Sequence, residues 1–346
     1  MTRNQSGGIT RKWKLQEDGR ILRNALLGMG VFLAALFLAP LLAGAAGTPA
    51  GTSISNQATA TYQDAVSNNF SQVSNTTTVT VTSVYAVAIT APADNNAYIN
   101  TTVYYPYTLT NSGNDNNTFA LSGASAHGWT VTLYVDTNGN GIHEAGETTT
   151  TSSTGVLAPD ATYRFFMAVT VPNDNSIASG TTDVATLTVN GANGGTNDDA
   201  TDQVTTTIVR PTLGVVKEVR LYPSGTFAAT ANAAPDNVVE YRVTVTNSGL
   251  DNAASVVLSD PIDVNTGYEI GSAAFTAGTS GLTGATAAFS NTARPGPYTY
   301  GYTPVSTGCG APAGYDYCVT SVRWTATGSM GTGGANFNVI FRVRVK

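Results

Sequence analysis

A nine-residue segment of this chain recurs at a fixed offset, identical at seven positions. Thr108-Leu-Thr-Asn-Ser-Gly-Asn-Asp-Asn116 returns 136 residues later as Thr244-Val-Thr-Asn-Ser-Gly-Leu-Asp-Asn252. In each copy a run of alternating apolar and polar residues stops at Asn-Ser-Gly. A polar bend follows, and the next strand signal starts at Phe119 in the first copy and Val256 in the second. A repeat of this kind, built on period-two alternation, means two copies of one β-module. It places one module at about 85–210 and the other at about 211–346. The junction Val209-Arg-Pro-Thr-Leu213 is short, and Pro211 stiffens it.

Strand signals cover the rest. Alternation with β-branched or aromatic enrichment appears at 103–110, 130–135, 163–171, 183–189, 204–209, 238–246, 319–326 and 337–345. Clusters such as Asn-Ser-Gly, Asn-Gly-Asn-Gly and Gly-Thr-Gly-Gly separate these runs as turns. No window after residue 50 has helical periodicity of useful length. The expected class is all-β, and short strands with frequent turns imply sandwich modules.

The N-terminus has the form of an export signal. Six Lys/Arg precede residue 24, an uncharged apolar run fills 24–42, and Ala43-Gly-Ala-Ala46 supplies small residues for cleavage. Residues 1–45 are therefore expected to be a signal peptide, and the signal segment is the expected membrane contact. The product is expected outside the cell or at its surface.

Residues 46–84 then look like the back end of a module whose front end is missing. Gly51-Thr-Ser-Ile-Ser-Asn-Gln-Ala-Thr-Ala-Thr-Tyr62 echoes Gly180-Thr-Thr-Asp-Val-Ala-Thr-Leu-Thr-Val189, and the Thr/Val strand at 77–84 echoes 204–209. Between them the first copy reads as a polar loop. A lone two-stranded hairpin is marginally stable at best in water. This one must pack onto its own chain or onto another molecule. Ile54, Ala58, Ala60 and Tyr62 on one strand, with Val79 and Val81 on the other, are the candidate assembly residues.

Charged residues are 11% of the chain, about half the usual share. Thr, Asn, Ser and Gly replace them, which permits contact between copies without charge repulsion. The charge is unevenly placed. Residues 46–209 hold 12 acids and one base, Arg164, for a net −11; residues 210–346 hold 8 acids and 9 bases, for a net +1. This is ordinary scatter or an acidic end that meets a basic one head to tail. The acidic balance argues against nucleic-acid binding.

The most specific local motif is Asp136-Thr-Asn-Gly-Asn-Gly-Ile-His-Glu-Ala-Gly-Glu147, which fits D-x-[DN]-x-[DN]-G-x5-E without mismatch. That spacing sets side-chain oxygens of Asp136, Asn138 and Asn140, the Ile142 carbonyl and bidentate Glu147 around one hard cation. Gly141 supplies the sharp turn. A structural Ca²⁺ is expected, held on a β-scaffold rather than between helices. With two carboxylates among the ligands, the affinity expected is ~10⁻⁴–10⁻³ M.

Cys309 and Cys318 are the only cysteines, and after an export signal they are expected to form one disulfide. It would pin the Gly/Pro-rich excursion 301–316. His127 and His143 are the only histidines, one beside Trp129 and one inside the cation motif. They support no catalytic triad, and the chain is not expected to be an enzyme. The tyrosines of Pro297-Tyr-Thr-Tyr-Gly-Tyr302 are a candidate contact surface.

Gly47-Thr-Pro-Ala-Gly-Thr-Ser-Ile-Ser-Asn-Gln-Ala-Thr-Ala-Thr-Tyr62 resembles the start of many bacterial surface proteins of the conserved-repeat family, domain of unknown function eleven. Residues 211–275 are similar to its module through Val216-Lys-Glu, Val239-Glu-Tyr-Arg-Val-Thr-Val-Thr-Asn-Ser-Gly249, Leu258-Ser-Asp-Pro261, Tyr268 and Gly271-Ser272. The first module resembles a related variant through Thr-Asn-Ser-Gly, His127-Gly-Trp129 and Val171-Pro172. The resemblance implies two immunoglobulin-like β-sandwich modules on a bacterial surface and implies no activity.

Two functions follow as expectations. One is a secreted structural subunit of an extracellular filament or envelope layer, a homopolymer assembled by β-strand addition. The other is a monomeric or anchored Ca²⁺-dependent adhesin whose surface ligand is unknown.

Overall fold

The computed structural model describes residues 47–346. The signal-peptide expectation for residues 1–45 lies outside them. Among the described residues there is no α-helix, and no helix is long and apolar enough to cross a membrane. The chain is all-β.

It begins with a free-standing ribbon made of β1 (Ser53–Asn56), β2 (Thr59–Gln63), β3 (Asn69–Val73) and β4 (Thr77–Thr80). β1 pairs β4 and β2 pairs β3, both antiparallel, so the four strands form one long hairpin. The break between the two halves is bridged: Ser74 N–H donates to Ala58 O at 2.8 Å, and Ala58 N–H donates to Ser74 Oγ at 2.9 Å. At the tip, Asp64 Oδ1 accepts the Val66 and Asn68 N–H groups. The arm from 52 to 64 spans roughly 40 Å at the usual strand rise. Sequence reading made 69–73 part of a polar loop. The structure makes it a strand, because Phe70 lies across from Tyr62 and the rings stack at 5.3 Å.

Module one follows: β5 (Val87–Thr90), β6 (Asn95–Ala97), β7 (Thr102–Asn111), β8 (Asn117–Ser125), β9 (Thr130–Val135), β10 (Ser153–Leu157), β11 (Thr162–Thr170), β12 (Thr182–Gly191) and β13 (Ala200–Ile208). One sheet runs β5-β7-β11-β9 and the other β10-β8-β12-β13-β6. Strand alternation sends Tyr105, Tyr107 and Leu109 of β7 inward to meet Phe119, Phe165, Met167, Leu187 and Val204 in one core.

Module two contains β14 (Leu213–Leu221), β15 (Val238–Asn247), β16 (Ala253–Ala254), β17 (Val257–Pro261), β18 (Thr266–Glu269), β19 (Ala274–Thr276), β20 (Gly284–Ser290), β21 (Tyr315–Asp316), β22 (Ser321–Thr327), β23 (Ser329–Met330) and β24 (Ala335–Val345). The main sheet runs β14-β15-β24-β18-β21, with β19 also on β24; β17-β22-β20 forms the second sheet, and β16 pairs β23. Trp324, Phe337, Phe341, Tyr268 and Val243 lie in its core.

The repeated motif does the same work twice. Asn111 and Asn247 are both fully buried. Asn111 Nδ2 donates to the Asp115 and Leu157 carbonyls, and Asn247 Nδ2 to those of Asp251 and Gly331. Each Oδ1 accepts the N–H two residues on, Gly113 or Gly249, at 3.1 Å. Both positions require glycine: a Cβ would fall 2.4 Å from Val84 O at Gly113 and 2.2 Å from Arg210 O at Gly249. The bend thus cradles the chain arriving at its module.

Across each bend the backbone N–H of Asp160 or Gly334 donates to the carbonyl of the buried asparagine, at 2.8 and 2.9 Å. β14, β15 and β24 are therefore the counterparts of β5, β7 and β11. β22 pairs β17 and precedes β24 as β10 pairs β8 and precedes β11, allowing for the short β23.

Candidate cation loop and assembly segment

β9 ends at Val135, and the loop that leaves it turns tightly on its own side chains. Asp136 Oδ1 accepts Gly139 N–H at 2.7 Å and its Oδ2 accepts Gly141 N–H at 3.0 Å. Asn138 Oδ1 accepts Asn140 N–H and Asn140 Oδ1 accepts Ile142 N–H. Gly139 and Gly141 adopt φ of +73° and +74°, a conformation that favours glycine. Glu147 closes the loop: Oε1 takes Thr137 N–H at 2.9 Å and Oε2 takes Glu144 N–H at 3.1 Å. Burial pushes the Glu147 carboxyl up, but these N–H donors and the Thr137 hydroxyl outweigh it and hold the group below its ordinary value.

The sequence motif therefore folds into one compact turn that gathers Asp136, Asn138, Asn140 and Glu147. It also brings in Glu144, which sequence reading passed over; its carboxylate accepts from the Asn138 and Asn140 amides. The Ile142 side chain is exposed. Arg164 Nη1 donates to the Gly139 carbonyl. The His143 ring stacks on Tyr104 at 3.7 Å, and its Nε2 lies 3.1 Å from Glu147 O, so the loop lies back on the sheet.

The donor set is all oxygen, which suits a hard cation. Asp136 and Glu147 are both buried, and among the described residues neither forms an ion pair. Backbone N–H groups satisfy both carboxylates, and a divalent ion would add the counter-charge they lack. Among the described residues no group of three or more His, Cys, Asp or Glu is placed to hold a metal. Any ion here would rest on amide and carbonyl oxygens as well as carboxylates.

The ribbon carries the other candidate residues. Ile54 stands opposite Val79, and the two are 51% and 64% exposed. Tyr62 is 56% exposed even with Phe70 stacked on it. Ala58 and Ala60 are exposed, and Val81, at the root, is half-buried. Sequence reading missed Phe70 and Val73, which are exposed and apolar; their spacing of three in Phe-Ser-Gln-Val hid the pattern. All strand residues of the ribbon are exposed, and among the described residues its strands pair only with each other. It does not fold back onto either sheet of module one.

The root is firmly held. Asn114 N–H donates to Val84 O, Asn114 Oδ1 accepts Val84 N–H, and its Nδ2 donates to the Thr48 and Thr82 carbonyls. The Ser83 hydroxyl donates to the Asp115 carboxylate at 2.7 Å and, with the Asn116 N–H and the Tyr85 hydroxyl, holds that group below the usual range.

Cys309 and Cys318 are disulfide-bonded. Their loop is also ordered by buried Asp316, which accepts the Tyr302 hydroxyl and the Val305 and Cys318 N–H groups at 2.8 Å each. The tyrosine run is not a free surface. Tyr298, Tyr300 and Tyr302 are half-buried, with Tyr300 bonded to Ser321 and Tyr302 to Asp316.

No family model matches the chain, and no curated protein matches it. Among solved structures it is similar to the secreted serine protease VesC from Vibrio cholerae, at 9% identity and a TM-score of 0.23 over 74% of this chain. The chain spans 46% of that protease's length. It is also similar to a protein of unknown function from Porphyromonas gingivalis W83, at 8% identity and a TM-score of 0.22, over 70% of this chain and 83% of that one. Likenesses this distant carry no functional argument.

Proposed function

We propose that this protein is a structural subunit of an extracellular filament or envelope layer, in which copies are joined by strand addition through residues 47–83. The ribbon carries this reading. It is long, carries exposed apolar side chains at Ile54, Tyr62, Phe70 and Val79, pairs among the described residues only with itself, and is anchored at its root by Asn114. An isolated two-stranded ribbon is marginal in water, and unpaired strand edges are templates for pairing with another chain. Main-chain hydrogen bonds would supply affinity, and the alternate side chains would supply register. The disulfide and the export-type N-terminus support an oxidising, extracellular setting. Ca²⁺ in the Asp136–Glu147 loop would brace module one.

Deleting residues 47–83 tests the reading. Both cores lie outside the ribbon, so the deleted protein should keep its melting transitions while losing assembly by light scattering and negative-stain microscopy. A full-length protein that stays monomeric at high concentration would overturn it.

A further inference from the structure

Among the described residues, module one has a hairpin for which module two shows no counterpart. After β11, the chain of module one forms β12 and β13. β12 pairs the edge of β8 that β10 leaves free, with Val189 opposite Leu121. The hairpin puts Ala185, Leu187, Val189, Val204 and Ile208 into the core. In module two, β17 pairs β22 on one side, and among the described residues no strand lies on its other edge.

The seam this leaves runs between β17 and β14. Lys217 of β14 donates to Asp260 of β17 at 2.7 Å, so the two strands border it. Val215 lies in register beside buried Val245, which puts its side chain on the core face, yet it is 57% exposed. Its counterpart Ile89 is packed against the core of module one.

The backbone of β14 is also open there. Even-numbered residues face β15, as Thr212 O with Ser248 N–H and Tyr222 N–H with Val238 O show. Odd residues face outward, and Val219 spends its outward N–H and C=O on Ala228. By the same alternation Leu213, Val215 and Lys217 turn theirs to the outer edge, where no strand pairs among the described residues. Inside the seam, the Asp260 carboxylate is buried, and among the described residues its Oδ2 has no hydrogen-bond partner.

The ribbon has the root of the absent hairpin. Gly180 N–H donates to Ile208 O and Ile208 N–H to Thr181 O, both at 2.8 Å. Gly51 N–H donates to Val81 O at 2.8 Å and Val81 N–H to Thr52 O at 2.9 Å. The two glycines have φ of +79° and +84°. Aligned on these bonds, Val81 stands where Ile208 stands, and Ala58 and Ala60 where Leu187 and Val189 stand. Beyond the root, each hairpin leads its chain into an Asn-Ser-Gly cradle, the ribbon into Gly113 and β13 into Gly249.

We propose that the ribbon of one copy fills the β14–β17 seam of another, as the β12–β13 hairpin fills module one. The inference rests on the strand-addition reading and names its acceptor. Ribbon strand 53–63 would run antiparallel to β17. The N–H and hydroxyl groups of this Thr/Ser-rich segment would reach the unpartnered Asp260 oxygen. The join between copies would then repeat the join between modules one and two within a chain. The contact is heterologous, so it does not close as a two-fold dimer, and where its rotation does not close a ring it propagates as a filament.

The test uses two full-length variants. Val215→Glu blocks the seam and leaves the ribbon; Ile54→Asp with Val79→Asp blocks the ribbon and leaves the seam. Each alone should be monomeric by light scattering, and an equimolar mixture should give dimers and no fibres. Val216→Glu, on the opposite face of β14, should assemble as the wild type does; loss of assembly there would mean that any charge on β14 acts non-specifically and would overturn the assignment. If Val215→Glu assembles normally while the ribbon variant does not, the ribbon docks elsewhere: this inference fails and strand addition stands. If the ribbon variant also assembles normally, strand addition fails too. Circular dichroism melts of all variants should match the wild-type monomer, since Ile54, Val79 and Val215 belong to neither core.

Discussion

Asn114 and Val84 hold each other by two hydrogen bonds: Asn114 Oδ1 accepts the Val84 N–H at 2.7 Å, and Asn114 N–H donates to the Val84 carbonyl at 2.9 Å. Asn114 Nδ2 reaches the Thr48 and Thr82 carbonyls at 3.1 Å each. One side chain thereby ties both arms of the ribbon to the bend of module one. Asn114→Ala removes three bonds, each worth about 1 kcal/mol net. Amide exchange in residues 48–84 should accelerate markedly while the core strands of module one keep their protection. Unchanged exchange at the root would show that Gly113 packing alone fixes the ribbon.

The Asp136–Glu147 loop should make module one calcium-dependent. Millimolar Ca²⁺ is expected to raise the melting temperature of that module, and a chelator to lower it. Asp136→Ala and Glu147→Gln should each abolish the difference. Identical melting curves with chelator and with 10 mM Ca²⁺, a concentration about tenfold above the weak extracellular range, would remove the cation from the account and leave a self-bonded turn.

Reducing the Cys309–Cys318 bond should loosen one loop without separating copies. The closed loop is short, so the chain-entropy contribution is about 2–3 kcal/mol. Asp316 still accepts three hydrogen bonds after reduction and should keep part of the loop in place. Monomers should run as monomers on non-reducing gels. A covalent dimer band would make the bond intermolecular.

Much of this architecture is written locally. Asn111 and Asn247 are visible as a repeat because one buried amide must satisfy three backbone groups, which tolerates little change in the residues around it. β7 and β24 announce themselves by alternation of buried and more exposed positions, β15 by alternation over its second half, and β11 by an apolar run from Phe165 to Val169 that is buried on both faces. β20 does not: Gly284-Ala-Thr-Ala-Ala-Phe-Ser290 has little β-propensity, and it is a strand through pairing with β22. The cation loop was readable as ligand spacing, whereas Glu144 was not, since its place depends on how the turn closes. Least legible was the seam. Val215 reads as an ordinary strand residue, and its exposure follows only from which strand is absent beside β17.

The two modules should respond to acid in opposite ways. In module one, the Ser83 hydroxyl and Asn116 N–H lower Asp115. Asp198 is raised by burial but lowered more by the Asn117 amide and the Gly194 and Asn193 N–H groups. A carboxylate whose folded pKa lies below its unfolded value stabilises the fold above the unfolded value, and that stability is lost as pH falls through the folded one. Asp260 of module two is the reverse case: burial raises it, against the pull of Lys217. Its ionised form costs stability at neutral pH, and protonation relieves that cost as pH falls through the raised folded value toward the unfolded one. Module one and the ribbon root should therefore open first as pH drops below 4, with module two still protected. Hydrogen exchange resolved by segment at pH 3 and pH 6, scaled for intrinsic rates, reads this directly. Asp260→Asn should narrow the difference by removing the compensating group. Loss of protection in module two ahead of module one would mean that the Lys217–Asp260 pair stabilises more than burial of the carboxylate costs.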